Sequence, residues 1–234
     1  MKLWVITLFP DLLETFFETS LIGKARNQGQ LTVSIVPLRE FADPPHFRVD
    51  DSPYGGGAGM VMKPEPLAKA IEWVKAQSPE AQTVLFSPRG ETLNQNLAQE
   101  LSIVENLVLI CPRYEGVDQR VIDLLVDREI SLGDYILMGG DVAAMATIEA
   151  TVRLIPGIIG NSESLIAESF SVARDGTTLL EAPHYTRPPS FRGLDVPEIL
   201  LSGNHQEVEK FRHERALEIT QKRRPQLLLK KEPN

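Results

Sequence analysis

The sequence S-L-G-D-Y-I-L-M-G-G-D, residues 131–141, lies between an apolar run and a segment with helical periodicity. Its glycines, Gly133, Gly139 and Gly140, are spaced too closely for the interior of a strand or helix, and glycine tolerates positive φ and close backbone approach. A glycine-bracketed apolar loop between a strand and a helix is where an α/β protein holds a ligand. The same stretch also fits an ordinary connection with turn glycines, and alone it leaves both interpretations open.

Short apolar runs elsewhere in the chain are typical of buried strands, and helical patterns separate them, which is the order of a parallel α/β sheet. Three successive predicted strands are each followed by a loop that contains Gly90, Gly116 or Gly133. Because such loops lie at the same edge of a parallel sheet, we expect them to converge on one ligand site. The predicted strands are 3–8, 31–36, 83–86, 107–111 and 129–132, and the predicted helices are 11–20, 64–77, 93–101, 117–126, 142–155, 197–201 and a last helix that Ser202 or Asn204 caps and that ends near Lys222.

A polar loop, A-D-P-P-H-F-R-V-D-D-S-P-Y-G-G-G-A-G-M, covers residues 42–60. Loops of this length without secondary structure are usually functional or disordered. Consecutive glycines allow close approach to a ligand, and Arg48, Asp50 and Asp51 supply charge beside them. No Gly-Lys-Ser/Thr follows, which excludes a phosphate-binding P-loop. An exposed, flexible surface loop remains the alternative.

The composition is that of an ordinary globular protein, with 42% hydrophobic and 24% charged residues in a chain of 234. Cys111 is the one cysteine, which excludes a disulfide framework and a thiolate metal site and fits a reducing cytoplasm. The four histidines are too scattered for a metal site. The apolar run at the N-terminus stops at Pro10 and is too short for a membrane span, so we expect no membrane contact.

The net charge of −8 excludes a uniformly basic nucleic-acid-binding surface. Basic residues are concentrated between Lys210 and Lys231, near the end of the chain. A locally basic segment on an acidic protein predicts contact with a polyanion at one place. A solvated helix face explains the same charges equally well.

Taken together, the loops resemble one family, the bacterial tRNA (guanine-N1)-methyltransferases of the SPOUT superfamily. The matching segments occur in the family's order and span almost the whole chain, so the match is specific even though each segment alone would be weak. They are L-F-P at Leu8, V-D-D-S-P-Y-G-G-G-A-G-M from Val49, S-P-R-G at Ser87, R-Y-E-G at Arg113, S-L-G-D-Y-I-L-M-G-G at Ser131, R-L-I-P-G at Arg153, P-H-Y-T-R-P at Pro183 and L-L-S-G-N-H at Leu200.

The resemblance implies a SPOUT-type α/β fold, a parallel sheet with a C-terminal trefoil knot, plus a small helical C-terminal domain. It implies a knotted S-adenosylmethionine-binding methyltransferase domain over residues 1–160, an interdomain linker over 161–178 and a helical tRNA-binding domain over 179–234. It also implies a homodimer with active sites across the interface. Since knots are rare in proteins, only the resemblance predicts this one.

The implied reaction transfers a methyl group from S-adenosylmethionine to N1 of guanine 37 in tRNA, next to the anticodon. Guanine N1 carries a proton, so the reaction needs a base near N1 and positive charge near O6. Arg153 matches the family arginine that is proposed to act at O6. The family's base is the aspartate of E-D-S-F, and this chain has A-E-S-F, so Glu168 occupies the matching position. Glu163 and Asp175 are the alternatives if the linker aligns differently.

For the cofactor, the resemblance indicates three segments, residues 85–88, 112–116 and 132–140. The sequence C-P-R-Y-E-G replaces the common C-G-R-Y-E-G, and Pro112 has no amide hydrogen, so a contact through that N–H is lost while a carbonyl contact survives. Glu115 has two open roles, facing the methionine amine or helping a magnesium ion, which the family is reported to need, although no metal-ligand spacing is visible. The predicted cofactor-binding residues are Leu85, Phe86, Ser87, Pro88, Pro112, Tyr114, Glu115, Gly116, Leu132, Gly133, Asp134, Tyr135, Ile136, Leu137, Gly139 and Gly140.

For tRNA, arginines can contact phosphates and a tyrosine can stack on an unstacked base, with the target guanine turned out of its loop. Glu168 and Pro112 motivate a second hypothesis, a catalytically impaired SPOUT-type RNA-binding relative. A Rossmann-type oxidoreductase, the third hypothesis, lacks G-x-G-x-x-G after the first strand. The predicted tRNA-binding residues are Arg48, Asp50, Gly57, Gly59, Met60, His184, Tyr185 and Arg187.

Overall fold

The computed structural model describes residues 1–160, 168–171 and 177–229. The chain separates into two compact units, Met1–Gly160 and Asn161–Asn234. Strands and helices alternate along the first unit. Its elements are β1 (Lys2–Thr7), α1 (Pro10–Glu18), α2 (Ser20–Asn27), β2 (Thr32–Pro37), a 3-10 helix (Leu38–Phe41), β3 (Asp50–Asp51), β4 (Val61–Met62), α3 (Pro64–Gln77), β5 (Gln82–Thr92), α4 (Gln95–Ser102), β6 (Asn106–Ile110), α5 (Gln119–Leu125), β7 (Arg128–Ser131) and α6 (Asp141–Val152).

The main sheet of this unit has five strands in the order β2-β1-β6-β5-β7. Each neighbouring pair is parallel; Val5, for example, is in register with Ile35 on one side and Leu109 on the other. The predicted α/β fold with a parallel sheet is therefore confirmed. All five strands end at one edge of the sheet, and the connections that follow β2, β6 and β7 at this edge carry glycine-containing motifs.

The core lies on both faces of the sheet because alternate side chains of each strand point to opposite sides. Leu3 and Val5 pack with one hydrophobic cluster that includes residues of α1, α2, α4 and α6. Trp4 and Ile6 pack with a second cluster that includes residues of α3 and α5. Burial on both faces explains the nearly continuous apolar runs from which the strands were predicted.

Most predicted elements are confirmed within two or three residues at their ends, and α3 has the predicted bounds. The helix predicted over 11–20 was too long, because α1 ends at Glu18 and a separate helix, α2, begins at Ser20. A Cβ at Gly23 would collide with the carbonyl oxygen of Glu18. Glycine at this position therefore lets α2 fold back directly against the end of α1, a tertiary feature that the sequence pattern does not display.

The prediction that the third strand ends at residue 86 was wrong, since β5 continues to Thr92. Phe86 and Glu91 both pair with Ile130, so the residues between them bulge out of the ladder. The S-P-R-G motif is thus a bulge within a strand rather than a loop after one. A Cβ at Gly90 would collide with the backbone of Glu129 and Ile130, so glycine is needed where the bulge returns to β7.

The prediction that residues 42–60 form a loop without secondary structure was wrong. Asp50 and Asp51 form β3, which pairs antiparallel with Val61 and Met62 in β4. The glycine-rich sequence therefore forms the tip of a β-hairpin rather than an open loop. Val49, just before β3, is buried, and its carbonyl accepts a hydrogen bond from the Lys63 amide at 2.8 Å, which fixes the base of the hairpin.

The second unit contains a two-stranded antiparallel ribbon and a long helix. The Asn204 side chain accepts from the Glu207 amide, which confirms Asn204 as the cap of the last helix. Thr220 of that helix is buried, and its hydroxyl accepts a hydrogen bond of 2.9 Å from the Leu180 amide. The elements are β8 (Ser190–Phe191), β9 (Leu194–Asp195), a 3-10 helix (Glu198–Leu201), α7 (His205–Arg223) and a second 3-10 helix (Pro225–Leu228).

Replacing Gly90 with alanine is expected to destabilise the fold. The added methyl collides with the backbone of β7, and the cost of such overpacking is about 1–3 kcal/mol. Gly160→Ala is the matched control, because a Cβ there meets no atom of the described residues within 4 Å. Urea unfolding followed by circular dichroism measures both changes. Equal midpoints for the two variants would contradict the close approach of the bulge to β7.

Candidate active site

A cleft of about 550 Å³ opens at the edge of the sheet where β5, β6 and β7 end. The bulge of β5 and the segments that follow β6 and β7 form its walls, so the structure brings together the three glycine-containing segments. Gly133 and Asp134 do not line the cleft; the Gly133 carbonyl accepts from the Tyr135 amide at 2.9 Å, in a turn that leads to the wall. The predicted residues that do line it are Leu85, Phe86, Ser87, Pro88, Pro112, Tyr114, Glu115, Gly116, Leu132, Tyr135, Ile136, Leu137, Gly139 and Gly140.

The cleft is apolar on most of its surface, with a few polar groups at defined places. Leu85 and Phe86 are buried at its floor, whereas Ile136 and Leu137 are exposed on its wall. Glu115 is the one acidic side chain among the described residues of the lining. Arg89 and Arg113 also line the cleft, so Glu115 is the lining group that can pair with a positive charge, while the apolar surface suits a flat or aliphatic ligand body.

Two segments of the cleft touch through their backbones. The Gly140 amide donates a hydrogen bond of 2.8 Å to the Pro112 carbonyl. A Cβ on Gly140 would collide with the Pro112 ring and crowd the Cα of Cys111, so only glycine allows this approach. The proline in C-P-R-Y-E-G lacks an amide hydrogen, but its carbonyl makes the contact that joins the two segments.

Behind this contact, the Asp141 carboxylate is almost completely buried, with 1% of its side chain exposed. The sequence allows Asp141 or a neighbour to cap this helix, and the structure shows the neighbour, Gly140, as the N-cap and Asp141 as the first residue of α6. The Asp141 carboxylate accepts from the Arg113 guanidinium, at 2.9 Å from Nε, and from the Thr7 hydroxyl. Burial and, to a smaller extent, the Asp141 charge raise the pKa of the neighbouring Cys111 thiol well above its usual value.

The hairpin of β3 and β4 is joined to the cleft by backbone hydrogen bonds. The Glu115 amide donates to the Met60 carbonyl at 2.9 Å, and the Met62 amide donates to the Gly116 carbonyl at 2.8 Å. Gly59 lies against the Glu115 side chain, where a Cβ would overlap it. Two of the residues predicted to bind tRNA, Gly59 and Met60, are therefore adjacent to the cleft. The others in this unit are Arg48, exposed before the hairpin, Asp50, in β3, and Gly57, exposed near the tip.

Arg153 and Glu168, the predicted catalytic residues, lie in different units. Arg153 is partly buried and follows the last residue of α6. Glu168 is partly buried, and its carbonyl accepts from the Ser171 amide at 3.1 Å. The alternative bases, Glu163 and Asp175, lie outside the described residues, as do most of the predicted linker over 161–178 and the last basic residues, Lys230 and Lys231.

The remaining predicted tRNA-binding residues, His184, Tyr185 and Arg187, are exposed in the second unit. The His184 ring nitrogen Nε2 lies 3.1 Å from a carboxylate oxygen of Glu181. Their exposure leaves these side chains accessible to a large partner.

Sequence reasoning missed two polar residues of the cleft, Arg89 and Gln119. Arg89, on the bulge, donates to the Gln119 side chain at 3.2 Å, and both residues line the cleft. Arg113 and Met138, which lie within the predicted segments 112–116 and 132–140, also line it. A signal was available for Arg89, because it belongs to the motif S-P-R-G that follows a predicted strand.

Comparison with known proteins places the chain among methyltransferases. The family model described as tRNA (Guanine-1)-methyltransferase TrmD matches residues 1–230. The chain belongs to this family. The TrmD family is thus the one that the loop motifs resemble, and the resemblance is confirmed.

Relatives named tRNA (guanine-N(1)-)-methyltransferase match over nearly their whole length. The protein from Anaeromyxobacter sp. (strain Fw109-5) is 51% identical over 97% of this chain and 90% of its own. The Moorella thermoacetica protein is 50% identical over 97% of this chain and 90% of its own. The Geobacter sulfurreducens protein is 48% identical over 99% of this chain and 93% of its own.

Ile136→Ala is expected to weaken binding of S-adenosylmethionine, the ligand that the resemblance implies, without loss of stability. The side chain is 79% exposed and lines the cleft, so its truncation removes contact with a ligand but little from the core. The loss of about 1–2 kcal/mol of apolar contact corresponds to about 5- to 30-fold weaker binding.

Ile103→Ala is the matched control, since Ile103 is 83% exposed and lies outside the cleft lining. Isothermal titration calorimetry gives both affinities, and differential scanning calorimetry gives both melting temperatures. Equal affinities of the two variants would show that the ligand does not contact this wall.

Proposed function

We propose that this protein transfers a methyl group from S-adenosylmethionine to N1 of guanine 37 in tRNA, next to the anticodon. The observation that carries the proposal is the family match over residues 1–230, with relatives of about half-identical sequence that are named for this activity. The cleft lined by the family's three motifs supports it. The alternative, a catalytically impaired RNA-binding relative, is not favoured, because Pro112 retains its carbonyl contact with Gly140.

S-adenosylmethionine fits the chemistry of the cleft. When bound, it supplies a methyl group that is activated by a sulfonium charge. The apolar walls of the cleft suit its adenine ring, and backbone groups of the glycine-containing segments can bind the ring's polar edge. Glu115 supplies a carboxylate that can pair with the ammonium of the methionine part.

The residues that line the cleft fit a magnesium ion less well than they fit S-adenosylmethionine. Glu115 is the one carboxylate among the described residues that line the cleft. Nowhere in the described part of the chain do three His, Cys, Asp or Glu side chains group as a metal site would need. Since magnesium prefers several oxygen ligands, we assign Glu115 to the cofactor ammonium and give no step to a metal.

We propose Glu168 as the base that accepts the proton of guanine N1 and Arg153 as the cation that stabilises the charge on O6. A guanine that keeps its N1 proton has no lone pair there for the methyl group, so proton removal must accompany transfer. Glutamate carries the same carboxylate as the family's aspartate on a side chain one methylene longer. Each role rests on the motif that the residue occupies, A-E-S-F and R-L-I-P-G.

We further propose that the main sheet carries a trefoil knot. The chain leaves β7 at the edge of the sheet, yet Gly140 bonds to Pro112 beyond the end of β6, and β5 lies between these two strands. The segment after β7 therefore returns across the end of β5, which supports a knot in which the chain passes through the preceding loop.

We propose three parts of the chain. Residues 1–160 form the domain that contains the knot and binds the cofactor, residues 161–178 form an interdomain linker, and residues 179–234 form a small helical domain that binds tRNA.

We propose a homodimer in which the active site is shared between two copies. Arg153 lies at the far end of α6 from Gly140, about 20 Å along the helix axis. One copy therefore cannot bring its own Arg153 to the cleft wall at Gly140. Beside the cleft, Met138 and Val142 are exposed, and a second copy that covers them would supply the missing arginine.

The hairpin residues Arg48, Asp50, Gly57, Gly59 and Met60 are proposed to contact the anticodon loop. The proposal is supported by the hydrogen bonds that join this hairpin to the cleft. His184, Tyr185 and Arg187 are proposed as further tRNA contacts.

We propose that the reaction takes place in the cytoplasm. None of the helices in the described residues is long and apolar enough to cross a membrane.

Glu168→Gln is expected to abolish methyl transfer while retaining tRNA binding. The amide has the shape of the carboxylate but cannot accept the N1 proton, and loss of a general base lowers rates by about 10²- to 10⁴-fold. Single-turnover transfer from labelled S-adenosylmethionine to a tRNA transcript with guanine at position 37 measures the rate.

Glu168→Asp and Glu198→Gln are the controls, and both are expected to remain active, since the first restores the family's residue and the second removes an exposed carboxylate elsewhere. If Glu168→Gln transfers as fast as wild type, the base is another residue. If wild type binds this tRNA but never methylates it, the impaired-relative hypothesis replaces the proposed function.

A further inference from the structure

The buried Asp141 carboxylate uses both of its oxygens. Oδ2 accepts from two nitrogens of Arg113, at 2.9 Å from Nε and 2.7 Å from an Nη atom, while Oδ1 accepts from the Thr7 hydroxyl. The position at the first residue of α6 adds the favourable field of the helix N-terminus. A carboxylate this deeply buried is tolerated because each oxygen is paired.

The Arg113 guanidinium is held by three contacts with described residues. Its charge faces Asp141, its Cζ lies 4.4 Å from the centre of the Phe9 ring, and an Nη atom lies 3.5 Å from the Met138 carbonyl. A Cβ on Gly139 would collide with the Arg113 side chain, so the arginine lies directly against that backbone. The side chain therefore fixes the distance between its own segment and the segment that contains Met138.

This network joins three parts of the chain that meet behind the cleft. Thr7 is the last residue of β1, Arg113 follows β6, and Asp141 follows the wall segment 136–140. A buried ion pair contributes little more to stability than apolar residues of the same volume would. Such a pair supplies a fixed geometry, because the planar guanidinium and the carboxylate bind each other in few orientations.

We propose that Arg113 and Asp141, held by Thr7, are positioning residues that set the spacing of the two cofactor walls. Asp141 and Thr7 can act only through the walls, since the Asp141 carboxylate is buried behind the cleft and Thr7 is completely buried in the sheet, whereas Arg113 also lines the cleft. The inference rests on the proposed function, in that the ligand of the cleft is S-adenosylmethionine. It predicts that a change at Thr7, which no ligand can touch, weakens cofactor binding.

Thr7→Val tests the proposal with a substitution of equal shape. It removes the hydroxyl that donates to Asp141 and that accepts from the Phe9 amide at 2.9 Å. Thr83→Val is the matched control, because Thr83 is also 0% exposed on a strand of the same sheet, and its hydroxyl makes no hydrogen bond with the described residues. Calorimetric titration with S-adenosylhomocysteine gives the affinity. Thr7→Val is expected to bind about 3- to 10-fold more weakly, and Thr83→Val within about twofold of wild type.

Arg113→Lys is the second variant, and it remains informative if Thr7→Val does not fold. An ammonium can meet Asp141 but cannot at the same time lie flat on Phe9 and reach the Met138 carbonyl. We expect about tenfold weaker S-adenosylhomocysteine binding and a similar rise in KM for S-adenosylmethionine. The single-turnover rate at saturating cofactor is expected to fall less than the affinity, because neither residue of the pair is assigned to the reacting atoms.

The outcomes separate the two proposals. Wild-type protein that does not bind S-adenosylhomocysteine would overturn the proposed function itself. Wild-type protein that binds, with Arg113→Lys and a folded Thr7→Val both within about twofold of it, would overturn the positioning role. The positioning role would also be overturned if Thr83→Val weakened binding as much as Thr7→Val does, since loss of a hydroxyl from any buried threonine would then have the same effect. Weaker binding by Thr7→Val and Arg113→Lys at unchanged affinity of Thr83→Val supports it.

Discussion

The hydrogen bond between the Gly140 amide and the Pro112 carbonyl is the contact on which the rest of the site depends. At 2.8 Å, with no room for a Cβ, it fixes two backbone segments against each other. Since α6 begins at the next residue, the same contact determines where that helix starts and where the Asp141 carboxylate lies. The cleft walls, the buried charge and the direction of α6 all follow from one glycine that can approach a proline this closely.

The main sheet could be predicted from sequence because its strands are buried on both faces and therefore read as continuous apolar runs. Elements that depend on tertiary contacts could not. Helix α2 is short and partly polar, and its Gly23 is required only because the helix packs against Glu18. The continuation of β5 past Phe86 exists because Glu91 pairs again with Ile130, and no local pattern encodes the return of a strand after a bulge.

The cleft was partly predictable for a similar reason. Glycine spacing reports backbone conformation locally, so it predicted that three segments converge on one ligand site, and the family resemblance named most residues of the three walls. The pair of Arg113 and Asp141 was missed because the two residues are 28 positions apart and neither is unusual for its own segment. Only the sheet order, which places the ends of β1 and β6 side by side, brings them together with Thr7. Side-chain networks that cross strands are a product of topology, which short motifs do not record.

Cys111 gives the protein a practical property. It is the single cysteine of the chain, it is buried, and burial raises the pKa of its thiol well above the usual value. Because the thiolate is the reactive form, we expect this buried thiol to react slowly with maleimides and mild oxidants at neutral pH. A cysteine introduced on the glycine hairpin would therefore take up a fluorophore selectively, without prior removal of the natural one. Fluorescence from that position would then test whether the hairpin contacts tRNA, as proposed.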